Sequence, residues 1–360
     1  MTSYLPIKIA ILCPREPWFY GGQERVVANT AKHLKNYFDI EIYCAGEKNY
    51  ERIWNDIPVH VFKGFTKGYL YSPLLKKEIK RSEFDIIHAH GFTVYSSYIA
   101  SKEKDTASFI INPHYHEVGS TPYYRLLRSL YDPTIGKKIL KEADRVICVS
   151  ETERNWLLKK FNINSKIIII PNGIDKNKIK NALPYDFKGR LILYIGRLEK
   201  YKNVQFLIHA IRYLPDEFSL YIVGTGRYKT TLIKLIKQFK LQNKVNILSG
   251  LPDEEVYRWL KTCDVFVNLS EVEAFGITVI EALCANKPVI VNDKGGLAEL
   301  AKKYSQAILP VNLDNQLSPK EFAKLIIFQS SNKINVNLEE FIWETITGQI
   351  KEVYNIAGKR

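Results

Sequence analysis

Short apolar runs alternate with stretches of helical composition along almost the whole chain. Ile7–Leu12, Asp39–Cys44, Val59–Phe62, Phe84–His90, Ala107–Asn112, Arg145–Val149 and Ile167–Ile170 read as strands. Glu24–Leu34 reads as a helix, and so does SETERNWLLKKF, where Ser150 and Glu153 have the spacing of a capping box. This alternation predicts a doubly wound α/β domain over residues 1–185. Asn177–Gly189 reads as a polar connector punctuated by Pro and Gly, which sets that boundary. The pattern then resumes with Leu191–Ile195, Leu220–Val223, Val245–Leu248, Val265–Leu269 and Pro288–Asn292, predicting a second α/β domain over residues 186–337. Residues 338–360 close the chain as a helix, Leu338–Ile356, expected to pack in part on the first domain through Trp343, Ile346, Ile350 and Tyr354.

The stretch VFVNLSEVEAFGITVIEALCANKPVIVN, residues 265–292, reads as strand, loop, helix and strand. Parallel strands joined through a helix place the loop after the first strand at the carboxyl edge of the sheet, where open α/β sheets bind ligands. Glu273 falls in that loop and Glu281 on the helix behind it. Gly276 precedes the helix, whose first N–H groups and dipole favour an anion. The unit therefore offers phosphate donors beside two carboxylates suited to sugar hydroxyls, although acids near a helix start also occur with no ligand.

Other strand ends carry chemistry. Gly21-Gly22 lies between the first strand and first helix, where it serves either a close backbone approach to a ligand or a plain tight turn. His88, His90, His114 and His116 lie at or just past strand ends, with Gly91 opening the next helix. A metal would need a third and fourth ligand that no spacing supplies, so His88 and His90 read as core residues and the loop histidines His114 and His116 as functional candidates. Asn172-Gly173 forms a turn. Arg197 and Lys202 bracket the entry to a helix, and two cations there suit a diphosphate. Gly224 and Gly226 supply half of a GxGxxG, a weak signal.

Composition narrows the picture only a little. A chain of 360 residues, 46% of them hydrophobic, has room for two ordinary cores, and no apolar run approaches membrane-spanning length. The start, MTSYLPIKIAIL, lacks the parts of a secretory signal, which sets the expectation of a cytoplasmic protein. Cys13, Cys44, Cys148, Cys263 and Cys284 are scattered and read as reduced core residues. A net charge of +14 suits anionic ligands, nucleic acid or an anionic membrane without choosing among them. Residues 121–141, TPYYRLLRSLYDPTIGKKILK, read either as an amphipathic surface for anionic lipid heads or as an ordinary helix pair broken at Pro133. No nucleic-acid motif is visible.

The set of segments GGQER (21–25), HAHG (88–91), INPHYH (111–116), CVSETE (148–153), IPNGID (170–175), YIGRLEKYKN (194–203), IVGTG (222–226) and SEVEAFGITVIEA (270–282) resembles the family 4 retaining glycosyltransferases. The resemblance spans most of the chain, and the E-x7-E of Glu273 and Glu281 is its most specific part. It implies the GT-B architecture, two Rossmann-like domains with parallel sheets facing across a cleft. It further implies that Arg197 and Lys202 grip a diphosphate and that Glu281 takes ribose hydroxyls. Glu273 and the segment Ala274, Phe275, Gly276 and Ile277 would face the donor sugar and phosphate. Gly21 and Gly22 would let the first loop approach the phosphates or acceptor. His114 would lie near the reacting centre, with His116 as the reserve, and Asn172 and Gly224 complete the expected substrate contacts. The family often has Gly where this chain has Ala274, which should fit unless the backbone there needs a positive φ.

The activity this resemblance implies is hexose transfer from a UDP- or GDP-sugar to a glycan, lipid-linked or small-molecule acceptor, with retention and without metal or other cofactor. The chain lacks the Asp-x-Asp common in metal-dependent transferases. The expected partners are the sugar nucleotide and the acceptor, with peripheral contact to an anionic membrane and none with nucleic acid. Rival readings are a GT-B epimerase, a phosphorylase, and a basic membrane- or nucleic-acid-binding module.

Overall fold

The computed structural model describes residues 6–19, 21–64, 72–81, 83–116, 122–163 and 166–358. Its chain divides into two compact units, residues 1–173 with 343–360, and residues 174–342.

In the first unit the strands are β1 (Lys8–Cys13), β2 (Asp39–Gly46), β3 (Tyr50–Trp54), β4 (Ile57–Lys63), β5 (Ile86–His90), β6 (Ser108–Asn112), β7 (Arg145–Cys148) and β8 (Ile167–Ile169). They form one sheet in the order β3-β4-β2-β1-β5-β6-β7-β8. Every pair is parallel except β3 with β4. Helices α1 (Gly22–Leu34), α2 (Pro73–Arg81), α3 (Tyr95–Glu103), α4 (Pro122–Tyr131), α5 (Lys137–Glu142) and α6 (Glu151–Leu158) connect these strands. Central β1 and β5 are buried almost throughout, because helices cover both faces of a parallel sheet. One face packs Ile9, Ile11, Val27 and Leu34; the other packs Leu12, Ile87, Phe109 and Leu140.

The second unit holds α7 (Lys176–Asn181), β9 (Arg190–Ile195), α8 (Val204–Ile211), β10 (Phe218–Val223), α9 (Lys229–Gln238), β11 (Val245–Leu248), α10 (Asp253–Thr262), β12 (Val265–Asn268), α11 (Ile277–Cys284), β13 (Val289–Asn292), α12 (Gly295–Lys303), β14 (Ile308–Val311) and α13 (Pro319–Ser330). Its sheet runs β11-β10-β9-β12-β13-β14, parallel throughout. The last helix, α14 (Trp343–Ala357), belongs to the first unit and packs there beside α1 through Trp343, Ile346, Ile350 and Tyr354.

Several details depart from the sequence expectation. The division falls at Gly173/Ile174 and not near 185, because part of the supposed connector forms α7, which packs on α10 and α11. The expected single C-terminal helix is a short 3-10 turn, Glu339–Phe341, followed after extended Ile342 by α14. Gly91 does not open a helix: its φ of 99° turns the chain, and α3 begins at Tyr95. The Ser150 half of the capping box forms, with Ser150 Oγ accepting the Glu153 N–H at 3.0 Å, while the Glu153 carboxylate reaches the Val149 and Tyr115 N–H groups. Pro133 does interrupt the basic stretch, through a π turn at Asp132–Gly136 between α4 and α5. Thr121 and the side chains of residues 122–125 and 127 lie outside the described residues. All five cysteines are buried and unpaired.

Candidate active site

Strand order reverses direction at β9 in the second sheet: β10 lies on one side and β12 on the other. The loops leaving the carboxyl ends of β9 and β12 therefore diverge around a crevice, the place where open α/β sheets take ligands. Arg197 and Lys202 stand on the first loop, and Glu273 to Gly276 stand on the second. These loops are joined. The Glu271 N–H donates to the Tyr201 carbonyl at 2.9 Å. Asn203, in left-handed conformation, donates its side-chain amide to the Leu269 carbonyl and to Glu271, each at 3.2 Å. Lys202 Nζ forms an ion pair with Glu273 across them, and Lys202 is buried. Arg197 is exposed and donates to the Tyr201 hydroxyl at 3.0 Å.

The segment Ala274–Gly276 is buried and leads straight into α11. Gly276, the residue before the helix, has φ of 92°, a left-handed conformation that favours glycine. Ala274 is not among the positive-φ residues, so its methyl group brings no backbone strain. Ile277 is the first residue of α11, where the N–H groups of the opening turn point past the helix end. Glu281, four residues further on, is fully buried. Two glycines let neighbouring segments pack closely on these loops, Gly296 at the start of α12 and Gly224 after β10. The Gly296 N–H donates to the Glu273 carbonyl at 2.8 Å, and a Cβ on Gly296 would lie 2.3 Å from the Ala274 oxygen. Gly224 follows β10, and a Cβ there would lie 1.9 Å from the Gly196 oxygen. That packing accounts for glycine at 224 without a ligand.

The first sheet reverses between β1 and β5. The loop after β1 ends at Gly21 and the exposed Gly22, the first residue of α1; a Cβ on Gly21 would collide with the Glu24 carboxylate. His88 and His90 end β5 and are buried. His88 Nε2 lies 2.6 Å from Asn112 Oδ1, and its Nδ1 lies 2.6 Å from the Tyr354 hydroxyl. With the amide oxygen as acceptor, Nε2 carries the proton and Nδ1 accepts from Tyr354. His88 thus ties β5 to β6 and α14, as a core residue. His90 Nδ1 lies 3.3 Å from His114 Nε2. A cavity of about 10 Å³ lies between His88, His90, Thr30, Asn172 and Trp343, roughly the room one water needs. Asn172 lines this cavity, and a Cβ on Gly173 would meet the Trp343 ring at 2.5 Å.

His114 and His116 follow β6 and are partly exposed. His114 has φ of 47°, unusual for a residue with a side chain. Burial, then His116 and His88, push its pKa down to about 3, and burial holds His88 at about 4 against the Asn112 bond. His90 is also pushed far down by burial. The three rings are therefore neutral at neutral pH. Among the described residues no group of three or more His, Cys, Asp and Glu side chains is arranged to hold a metal ion.

Residues 175–339 match the family Glycosyl transferases group 1, and residues 20–178 match Glycosyltransferase Family 4. An uncharacterized glycosyltransferase of Methanocaldococcus jannaschii is 28% identical over 349 residues, 93% of this chain and 95% of the relative. The N-acetylgalactosamine-N,N'-diacetylbacillosaminyl-diphospho-undecaprenol 4-alpha-N-acetylgalactosaminyltransferase of Campylobacter jejuni is 27% identical over 323 residues, 83% of this chain and 84% of its own. Among solved structures, the sucrose-phosphate synthase of Thermosynechococcus elongatus is similar with a TM-score of 0.82 at 18% identity, covering 97% of this chain and 98% of that one. Anabaena HepE, solved in complex with UDP and glucose, gives a TM-score of 0.78 at 18% identity, covering 97% and 99%. At such identity these two likenesses bear on the fold, which is GT-B. With the two family matches running between them from residue 20 to 339, the chain belongs to the family 4 glycosyltransferases.

Proposed function

We propose that this glycosyltransferase moves a hexose from a UDP- or GDP-sugar to a glycan or lipid-linked acceptor, with retention at the anomeric carbon and without a metal ion. The observation that carries the reading is the convergence of Arg197, Lys202, Glu273 and the start of α11 on the crevice between β9 and β12. Cleaving a sugar–phosphate bond builds positive charge on the sugar and negative charge on the departing diphosphate. Cations and helix N–H groups fixed in advance stabilise that leaving group most where water is excluded. Lys202 and Arg197 take the diphosphate, and α11 turns its N–H groups to the same charge. Glu281 accepts from the ribose hydroxyls. Glu273, already paired with Lys202, sits at the donor sugar. A front-face path, in which the acceptor hydroxyl passes its proton to the departing phosphate, gives retention and needs no covalent nucleophile. In the first unit, a neutral His114 serves the transferred sugar through hydrogen bonds, with Gly21 and Gly22 leaving the first loop free to approach substrate.

The acceptor proposed is membrane-borne. Leu126, Leu130 and Ile135 are exposed, and Lys137, Lys138 and Lys141 are exposed nearby. Asp132, the acid of this stretch, is buried and paired with Arg128 and Lys160. Apolar side chains beside exposed cations suit an anionic lipid surface. No helix among the described residues is long and apolar enough to cross a membrane.

A thermal-shift screen against UDP-, GDP- and ADP-sugars tests the donor assignment. One of the first two should raise the melting temperature, and Glu281→Ala should weaken that ligand by at least about tenfold, as expected for lost hydrogen bonds to a buried carboxylate. Unchanged affinity in Glu281→Ala contradicts the placement. Incubation with donor alone separates transfer from epimerisation, because an epimerase releases free sugar with no acceptor present.

A further inference from the structure

His114 is held in a left-handed conformation that costs a residue with a side chain about 1–2 kcal/mol. Such strain persists only where the surroundings over-determine it. Here the next residue, Tyr115, is fixed at both ends by buried carboxylates. Its N–H donates to Glu153 Oε1, and its hydroxyl donates to Asp132 Oδ2 at 2.9 Å. On the near side the Pro113 carbonyl accepts from the Phe92 N–H at 2.7 Å. On the far side Arg128 donates to the His116 carbonyl, with its guanidinium 4.3 Å from the centre of the Tyr115 ring.

Of these clamps Glu153 is the one that also bonds a second loop. It is fully buried near the start of α6, a place where an uncharged residue would bring no desolvation cost. Its second oxygen accepts from Val149 N–H at 2.7 Å, at the end of β7. One carboxylate therefore ties the loop after β6 to the loop after β7. Two backbone N–H groups need two acceptor oxygens, which a carboxylate has and an amide lacks.

We propose that Glu153 is a positioning residue for transfer: it fixes the Tyr115 N–H and so holds His114 in its strained conformation. The inference rests on the role of His114 in the proposed function. Glu153→Gln keeps the shape but offers one acceptor and sets an NH₂ against a backbone N–H.

The test, run at about pH 8 where Glu153 is mostly ionised, compares the parent chain, Glu153→Gln, His114→Ala and the double variant, each with measured melting temperature, donor dissociation constant, kcat and KM. In Glu153→Gln, kcat should fall by at least about tenfold, since a displacement of about 1 Å can cost a hundredfold. Donor affinity, set by the second unit, should stay within about twofold of the parent, a shift too small to mark a lost contact. In the His114→Ala background the same change should cost nothing further. An equal loss in both backgrounds, or no loss in the parent, overturns the proposal. Histidine ring signals in ¹⁵N–¹H spectra give a readout independent of turnover. Glu153→Gln should move those of His114 and leave His60 and His209 in place, and unmoved His114 signals would also overturn it. Absence of transfer from any sugar nucleotide would instead remove the proposed function, while the ring signals still decide whether Glu153 holds the loop.

Discussion

Replacing Lys202 by methionine removes a charge while keeping the stem that fills its place. The change has two effects, and they separate a structural lysine from a ligand-binding one. In the free protein Lys202 pairs with Glu273, with side-chain exposures of 10% and 23%. A fully buried pair broken on one side costs about 3–5 kcal/mol, and an exposed pair about 0.2–1 kcal/mol. This half-buried pair lies between, so Lys202→Met should lower stability by about 1–2 kcal/mol. A charge-assisted contact to a diphosphate contributes about 1.5–3 kcal/mol, which corresponds to a loss of about 10- to 150-fold in donor affinity. Urea unfolding of the free protein reads the first quantity, and calorimetric titration with the nucleoside diphosphate reads the second. A lowered unfolding midpoint with donor affinity within about twofold would make Lys202 a partner of Glu273 only and refute the diphosphate assignment.

Acid should weaken the fold. His88 and His114 have pKa values of about 4 and about 3 in the folded chain against 6.5 for the free ring. Their neutral forms stabilise the fold fully above pH 6.5, and that contribution is lost as pH falls through those values. Glu153 runs the other way: burial raises it to about 7, opposed by the Val149 and Tyr115 N–H bonds, so its contribution is fullest below pH 4.5 and lost as pH rises through 7. With His90, also pushed far down by burial, the histidines outweigh one acid, and stability should drop by at least about 3 kcal/mol between pH 6.5 and 4; an unfolding midpoint flat over that range contradicts the neutral rings. For the membrane surface, Leu126→Glu with Leu130→Glu should abolish co-sedimentation with phosphatidylglycerol vesicles while leaving the melting temperature unchanged. Equal binding by the double variant removes that face from consideration.

The central strands are legible in the sequence because their burial on both faces leaves them nearly continuous apolar runs, as in KIAILC of β1 and VFVN of β12. The edges are not. β3 reads YERIW and exposes Glu51, Arg52 and Ile53, as an edge strand guarded by charge does. β14 carries Pro310, tolerated because it too is an edge. α7, KNKIKN, buries Ile179 alone and gives no periodic signal. At the site, the E-x7-E spacing and the positions of Arg197 and Lys202 are local in sequence and readable. The pairing of Lys202 with Glu273 across 71 residues is not. Nor is the Glu153 bond to Tyr115 across 38 residues, where the capping-box spacing points to a purely local role. Contacts of this kind are set by strand order, which no short pattern encodes.

On the proposed function, fixed groups of the second unit hold the departing diphosphate. Crystals soaked with the sugar nucleotide that gives the largest thermal shift test it most directly, in buffer containing EDTA. Diphosphate density should lie in contact with Arg197, Lys202 and the first turn of α11, with ribose hydroxyls at Glu281, and transfer in solution should be undiminished by the chelator. Density away from these residues, or turnover abolished by EDTA, contradicts it.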